Sequence, residues 1–374
     1  MDYQGNYSNH RLDRVAYSEV MRFSDLRFLL ALILPLLSAI GLIFAPQNAF
    51  VSTVVVWFSF ALLETVLPKN SPAPVAEEDS RGYFQWVLRL YVALQISLIV
   101  LGAYAAAQSE WLIVLGIAFA VGYVTGAQGI TFAHELGHSK SKIDRLGGWL
   151  LMTSVCYGHF MVEHYRGHHP RAATFDDPAS ARYGESLYTF LPRTLWGSLA
   201  SGWRLEGLRL QQMKSSWRKS PLVWSAAASL ALVLLPFLML FWQVAGVEYA
   251  QTAMKIVVFF LAQSLIAVLL LEMVNYIEHY GLQRNTDGSK RGAFGKMHAW
   301  NADHIVTNSL LANLQRHSDH HMHAWKPYAT LEDTPEGPRL PTGYAGSIIL
   351  AAIPPLWFAL MHPKLKALQA SAAR

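Results

Sequence analysis

"WLIVLGIAFAVGYVTGAQGITFAHELGH", residues 111 to 138, begins as a membrane span and ends on two histidines four residues apart. Residues 111 to 133 carry no charged side chain, and roughly 20 such helical residues cross a hydrocarbon core of about 30 Å. Helical throughout, the stretch is about 42 Å long at 1.5 Å per residue and overshoots that core by roughly 10 Å. It therefore carries His134, Glu135 and His138 past one face of the membrane. Residues i and i+4 share a helix face, so the two imidazoles can converge on one ion. The fold this predicts is all-α and integral to the membrane, with its chemistry at one end of a helical bundle.

The rest of the chain agrees. Of its 374 residues 53% are hydrophobic and 15% charged, against about 25% charged in a soluble domain. Five further runs, about 26 to 45, 49 to 67, 86 to 107, 222 to 245 and 253 to 279, are long and apolar enough to span. Pro35 and Pro236 fall inside two of them, where neighbouring helices can accommodate a kink. The connections "APQN", "QSE" and "VAGVEYAQT" hold no Lys or Arg. They alternate with basic segments: the N-terminal arm 1 to 25, the second connection with Lys69 and Arg81, the stretch 134 to 221 and the tail 280 to 374. The positive-inside rule then gives six transmembrane helices, 26 to 133 and 222 to 279, with both termini and both histidine-rich regions in the cytoplasm.

The net charge of +5 accordingly reads as cytoplasmic membrane surface, with no nucleic-acid partner. The first 25 residues are too polar for a cleaved signal peptide. No repeats occur, and the one low-complexity segment is the linker "KNSPAPVAEEDS" at 69 to 80. A last apolar run, 344 to 363, contains Pro354 and Pro355 and is flanked by basic residues. It reads as an interfacial helix lying on or dipping into the inner face.

Nine of the 15 histidines fall into four clusters: "HELGH" (His134, His138), "EHYRGHH" (His164, His168, His169), "NYIEHYG" (His279) and "HSDHH" (His317, His320, His321). All four lie on the cytoplasmic side, and His279 ends the sixth span at the depth where the fourth ends. His134/His138, His164/His168 and His317/His320/His321 have the i, i+3 or i, i+4 spacing of a shared face. The extra neighbour in each HH pair points about 100° away, where it can serve a second ion. Nine imidazoles fit two metals of four to five ligands each. A lone HExxH zinc site of three or four ligands would leave most of them idle. Cys156 is the only cysteine, so a Cys-ligated zinc site, an iron–sulfur cluster and a disulfide framework are excluded within the chain. Imidazole suits zinc, copper, iron and nickel alike.

Two divalent ions in an all-nitrogen shell leave about +4 to be balanced nearby. Glu135, Glu163, Glu278 and Asp319 flank the clusters and Asp303 lies upstream of the last one, placed to accept from the second ring nitrogens. Glu135 or Glu278 could instead bind metal directly. His304, with Asn301 and Asp303 in "WNADH", could orient ligands; His10, His159, His298, His323 and His362 are left outside the site. Solvated surface histidines would explain one cluster, not four. Metal ligands all on one side also argue against a transporter, which needs them along its path.

"HELGHSK", "EHYRGHH", "NYIEHYGLQR" and "WNADHIVTNSLLANLQRHSDHH", in this order on six spans, resemble the integral-membrane alkane 1-monooxygenase family of the desaturase and hydroxylase superfamily, over about residues 25 to 330. The resemblance implies two non-haem irons and terminal hydroxylation of an n-alkane with O2. It also implies rubredoxin as electron donor, an NADH-dependent rubredoxin reductase upstream of it, and a place in the bacterial cytoplasmic (inner) membrane. A fused rubredoxin needs four more cysteines than this sequence holds, so the donor is a separate chain or lies outside this sequence. An alkane reaches the site through the lipid bilayer and offers nothing to hydrogen-bond, so a narrow apolar channel must present its methyl by shape. Trp57 and Phe60 are candidates for setting the length that fits. Lys140, Lys142, Arg145, Arg166, Arg171 and Arg316 could face an acidic electron carrier or, equally, only enforce topology or touch anionic headgroups. A related enzyme acting on acyl chains or aromatic methyl groups is the alternative.

Overall fold

The computed structural model describes residues 23–67, 82–242, 247–284, 286–287 and 290–372. The N-terminal arm up to residue 22, the linker at 69 to 80 and Arg81 lie outside them. Six helices are long and apolar enough to cross a membrane: Asp25–Phe44, Pro46–Val66, Tyr83–Ala107, Trp111–His138, Pro221–Leu238 and Tyr249–His279. The protein is all-helical, its only paired strands among the described residues being Thr286–Asp287 and Lys290–Arg291.

Burial sets the order of the bundle. Of the most apolar stretch, 72% is buried in the fourth span and 56% in the sixth, against 17% in the second and fifth. The fourth and sixth are therefore central, and small residues let them touch. A Cβ on Gly126 would strike the backbone of Ala267, and one on Gly122 would strike Ile266 and the Gln263 carbonyl. Small residues at such crossings are how membrane helices pack where apolar burial gives no preference between protein and lipid. Buried amides and hydroxyls tie the same region together. Thr125 donates to Gln263 (3.1 Å), Gln263 to the Ser154 carbonyl (3.1 Å) and Gln95 to Ser154 (2.9 Å). The outward faces carry exposed Leu37, Ile40, Ile43, Phe44, Val51 and Phe58, the surface a bilayer would cover.

The fourth span stays helical to His138, with one π-helical segment, Thr125–Ile130, inside it. The helix Lys142–Thr153 packs on the end of the fourth span and Leu187–Gln212 on the sixth. The last apolar run is two helices, Tyr344–Ala351 and Pro354–Ala372, bent by 116° at the prolines. Pro354 and Pro355 occupy the first turn of the second helix, a place that proline fits, and the run breaks there.

Candidate metal centre

Four chain segments bring the nine histidines together. His134 and His138 occupy the last turns of the fourth span, and His279 is the final residue of the sixth, before Gly281 turns the chain at φ +69°. His317, His320 and His321 lie on the short helix His317–Met322. His164–His168 is a π-helical turn, which continues into His169.

The rings sort into two groups: His134, His138, His164, His169 and His320, and beside them His168, His279, His317 and His321. Within each group the potential ligand nitrogens lie within 4.8 Å of one another. In the first, Nε2 atoms stand 2.8 Å apart for His134 and His320, 2.9 Å for His164 and His169, and 3.2 Å for His169 and His320. In the second the separations are 3.0 Å for His317 and His321, 3.2 Å for His279 and His317, and 3.3 Å for His168 and His321. Two imidazole nitrogens at right angles on an ion 2.0–2.1 Å away are about 3 Å apart, so the spacing fits a metal. The buried His138 Nε2 has no hydrogen-bond partner, as a ligand nitrogen would not.

Protonation agrees with ligation, which needs neutral rings. Burial, reinforced by neighbouring imidazoles, holds His164, His169, His317, His320 and His321 well below the ordinary histidine range. His168 differs. Burial pulls its pKa down, but the Asp177 carboxylate, 2.9 Å from Nδ1, more than offsets this and raises it. Asp177 in turn is held below its ordinary value: burial would raise it, and His168 and the Ser180 hydroxyl prevail.

Several expectations need correcting. His164 and His168 do not share an ion site; His164 pairs with His169 instead. A π turn closes i to i+5, which puts residues five apart on one face and sends His168 to the second group. Asp319 serves no cluster ring: it holds His323 Nδ1 (2.7 Å), Lys326 (3.2 Å) and the Glu332 N–H (2.9 Å), because the exposed segment after the helix brings those donors to it. Glu135 accepts from the Tyr328 N–H (2.9 Å) and Asp303 from Asn308 and Arg316 (2.8 and 3.1 Å), so both anchor backbone and loops. Glu278 is the flanking carboxylate nearest a ligand, its Oε1 3.2 Å from His317 Nδ1. His304 gives its backbone N–H to Gln315, while Asn301 grips both the N–H and the hydroxyl of Ser318 (2.8 Å each), next to His317. Arg171 and Arg316 do not face a partner. They are buried, Arg171 against Glu163 and Arg316 against Asp303 and the Leu331 carbonyl, since buried carboxylates need cations. Lys140, Lys142 and Arg166 are exposed.

Asp177 escaped the sequence reading because it reaches His168 through a turn, with Ala173 at φ +59°; no helical spacing links the two. Tyr344, whose hydroxyl donates to Glu278 at 2.6 Å, lies 66 residues from it and gave no signal either.

Two narrow apolar cavities, of about 50 and 30 Å³, run toward the histidines. The first is lined by Trp57, Phe60, Tyr123, Leu270, Tyr344 and Ile348, among others. Thr131 and Val274 line it and also the second, which ends on His134, His164, His317, Asn275 and Glu278. Trp57 and Phe60 thus line a cavity that adjoins the one bordered by members of both histidine groups.

A family model described as fatty acid desaturase matches residues 109–345. Alkane 1-monooxygenase 2 of Pseudomonas aeruginosa is 39% identical, over 84% of this chain and 83% of that protein. Alkane 1-monooxygenase of Acinetobacter baylyi is 33% identical over 92% and 86%. A more distant relative, the hydroxylase component of xylene/toluene monooxygenase of Pseudomonas putida, is 27% identical over 89% and 88%.

Proposed function

We propose a function from one premise: the chain belongs to the fatty acid desaturase family and, within it, to the alkane 1-monooxygenases. It is a multi-pass membrane alkane hydroxylase with a histidine metal site. Our reading is that the site holds two irons, one per histidine group, and that the reaction is terminal. An n-alkane, O2, two electrons and two protons give a 1-alkanol and water; one C–H bond becomes C–OH and the second oxygen leaves as water. The electrons come from rubredoxin, itself reduced by an NADH-dependent reductase, and the protein sits in the bacterial inner membrane with its termini and metal site cytoplasmic. The irons, when bound, supply O2 activation and C–H oxidation.

The chain's own residues do the rest. Val274, Thr131, Leu271 and Ile130 narrow the cavity end so that a chain arrives methyl first. Asp177 fixes the ring and tautomer of His168. Glu278 sets a carboxyl group beside His317 and Asp177 one on His168, the two acidic groups against the four-histidine group.

The observation that carries the substrate class is the lining of the path. Among the described residues that line the two cavities, Glu278 is the only charged side chain besides the histidines, so none of them pairs with a carboxylate or phosphate headgroup. Aromatic methyl groups are the second reading, favoured by the likeness to the xylene/toluene hydroxylase component; the narrow bore opposes a ring. Purified protein supplied with rubredoxin, reductase and NADH is expected to convert octane to 1-octanol and to contain two irons per chain. Oxidation of an acyl chain or of p-xylene with no 1-octanol would sink the alkane assignment, and one zinc per chain the di-iron one.

A further inference from the structure

Glu64 is a buried carboxylate at the end of the second span, one helix face with Trp57 and Phe60. Ionisable groups inside a membrane bundle are costly and mark function by default, yet Glu64 touches no histidine of the two groups. Its oxygens accept from the N–H groups of Ala345 (3.2 Å) and Gly346 (3.0 Å) and from the Thr307 hydroxyl. Those N–H groups open the helix Tyr344–Ala351, where orphan donors and the helix dipole favour an anion. Gly343 permits the approach, because a Cβ there would strike the carboxylate. Seven residues earlier on the same face, Trp57 Nε1 donates to the Ala345 carbonyl at 3.2 Å. The second span therefore grips both sides of one peptide unit of this helix.

What the grip positions is Tyr344. Its ring lines the apolar cavity, and its hydroxyl donates to Glu278 Oε1 at 2.6 Å, with the Leu314 carbonyl 3.3 Å away. The same Oε1 lies 3.2 Å from His317 Nδ1, an ion-pair distance at which the two form no hydrogen bond and Nδ1 has none elsewhere among the described residues. A carboxylate beside the second nitrogen of a ligating histidine helps to orient the ring, and the chain of contacts runs from Glu64 through the helix N-terminus, Tyr344 and Glu278 to within 3.2 Å of His317. We propose that Glu64 and Tyr344 are positioning residues that hold Glu278 against His317 and so set the metal affinity of the four-histidine group, while the same helix walls the alkane cavity. This rests on reading the two histidine groups as metal sites.

Site-selective metal binding tests it. A Co(II) titration of the full-length metal-depleted protein should resolve two sites. Tyr344→Phe keeps the ring in the cavity wall and removes the bond to Glu278. It should weaken one site roughly 10–100-fold, the range for lost ligand-orienting partners, and leave the other unchanged. Glu64→Gln should weaken the same site by less, because its amide oxygen still accepts from one N–H. With octane, Tyr344→Phe should lower kcat and leave KM near that of the unaltered protein. A carboxylate that merely caps a helix would lower the unfolding temperature and affect both sites alike. Wild-type affinities at both sites in both variants, or equal weakening of the two, would overturn the proposal. If Tyr344→Phe does not fold, Glu64→Gln decides by the same criterion. Failure of the unaltered protein to oxidise octane would refute the proposed function and leave this titration decisive for the positioning role.

Discussion

Asp177 accepts from His168 Nδ1 and so leaves Nε2 facing the rest of its group. Its charge has a consequence for pH. In the metal-free protein His168 titrates above the ordinary histidine value of about 6.5. A raised folded pKa means that its protonated form contributes stability fully present below about pH 6.5 and lost as pH rises through the folded value. Metal needs the neutral ring, so proton and metal compete at the four-histidine group across that window. The other group holds His164, His169 and His320 far below it, and these are neutral throughout. Metal affinity measured between about pH 6 and 8 should therefore climb at one site and stay flat at the other. Asp177→Asn should move that climb to lower pH and cut the limiting affinity roughly 10–100-fold. Identical pH profiles at both sites, unaltered by the substitution, would sever Asp177 from ligation. Trp57 lines the neighbouring apolar cavity. Its indole closes the cavity beside Tyr123, ring centres 5.4 Å apart. Trp57→Ser should shift the preferred alkane to longer chains in competition assays on mixed alkanes; an unchanged preference would remove Trp57 from the channel.

At the scale of elements, what could be read from sequence and what could not follow from the same physics. Spans are legible because about 20 apolar residues in a row have few other uses, and the helices at Asp25–Phe44 through Tyr249–His279 lie close to the expected runs. His134 with His138, and His317 with His321, meet as i, i+4 spacing requires. His164 with His168 does not, because the spacing rule assumes an α turn and the chain makes a π turn there. Nothing in "EHYRGHH" announces which turn will form. The carboxylates were legible only as neighbours in sequence: Asp319 is adjacent to His320 in the chain, yet turned to Lys326, whereas Asp177 and Tyr344 arrive by tertiary packing. Packing of the fourth span on the sixth gives the prediction at this scale, since these two helices carry His134, His138 and His279. Gly126→Ala places a methyl against the Ala267 backbone, which cannot move aside as a side chain can. Overpacking of this kind costs about 1–3 kcal/mol, and the separated helices should also retain less metal in both groups. Gly41→Ala in the first span meets nothing within 4 Å and should leave unfolding temperature and metal content unchanged. Equal behaviour of the two variants would mean that the fourth and sixth spans tolerate separation.

For the molecule as a whole, the bilayer is the reservoir from which substrate comes. The apolar cavity lies among the second, fourth and sixth spans and the helix Tyr344–Ala351, and an alkane partitions almost wholly into lipid because burying each CH2 is worth about 0.8 kcal/mol. Eight carbons amount to roughly 6 kcal/mol, a partition factor on the order of 10⁴. The concentration the enzyme meets is then the mole fraction of alkane in its own membrane, and the bulk aqueous value hardly matters. Reconstitution into vesicles at fixed protein and fixed total octane, with only the amount of lipid varied, tests this dependence. Below saturation, halving the lipid should nearly double the rate, and KM expressed as mole fraction in lipid should stay constant across the series. A rate that followed neither lipid amount nor mole fraction would place the entrance away from the spans and detach the Trp57 end of the cavity from the substrate's path.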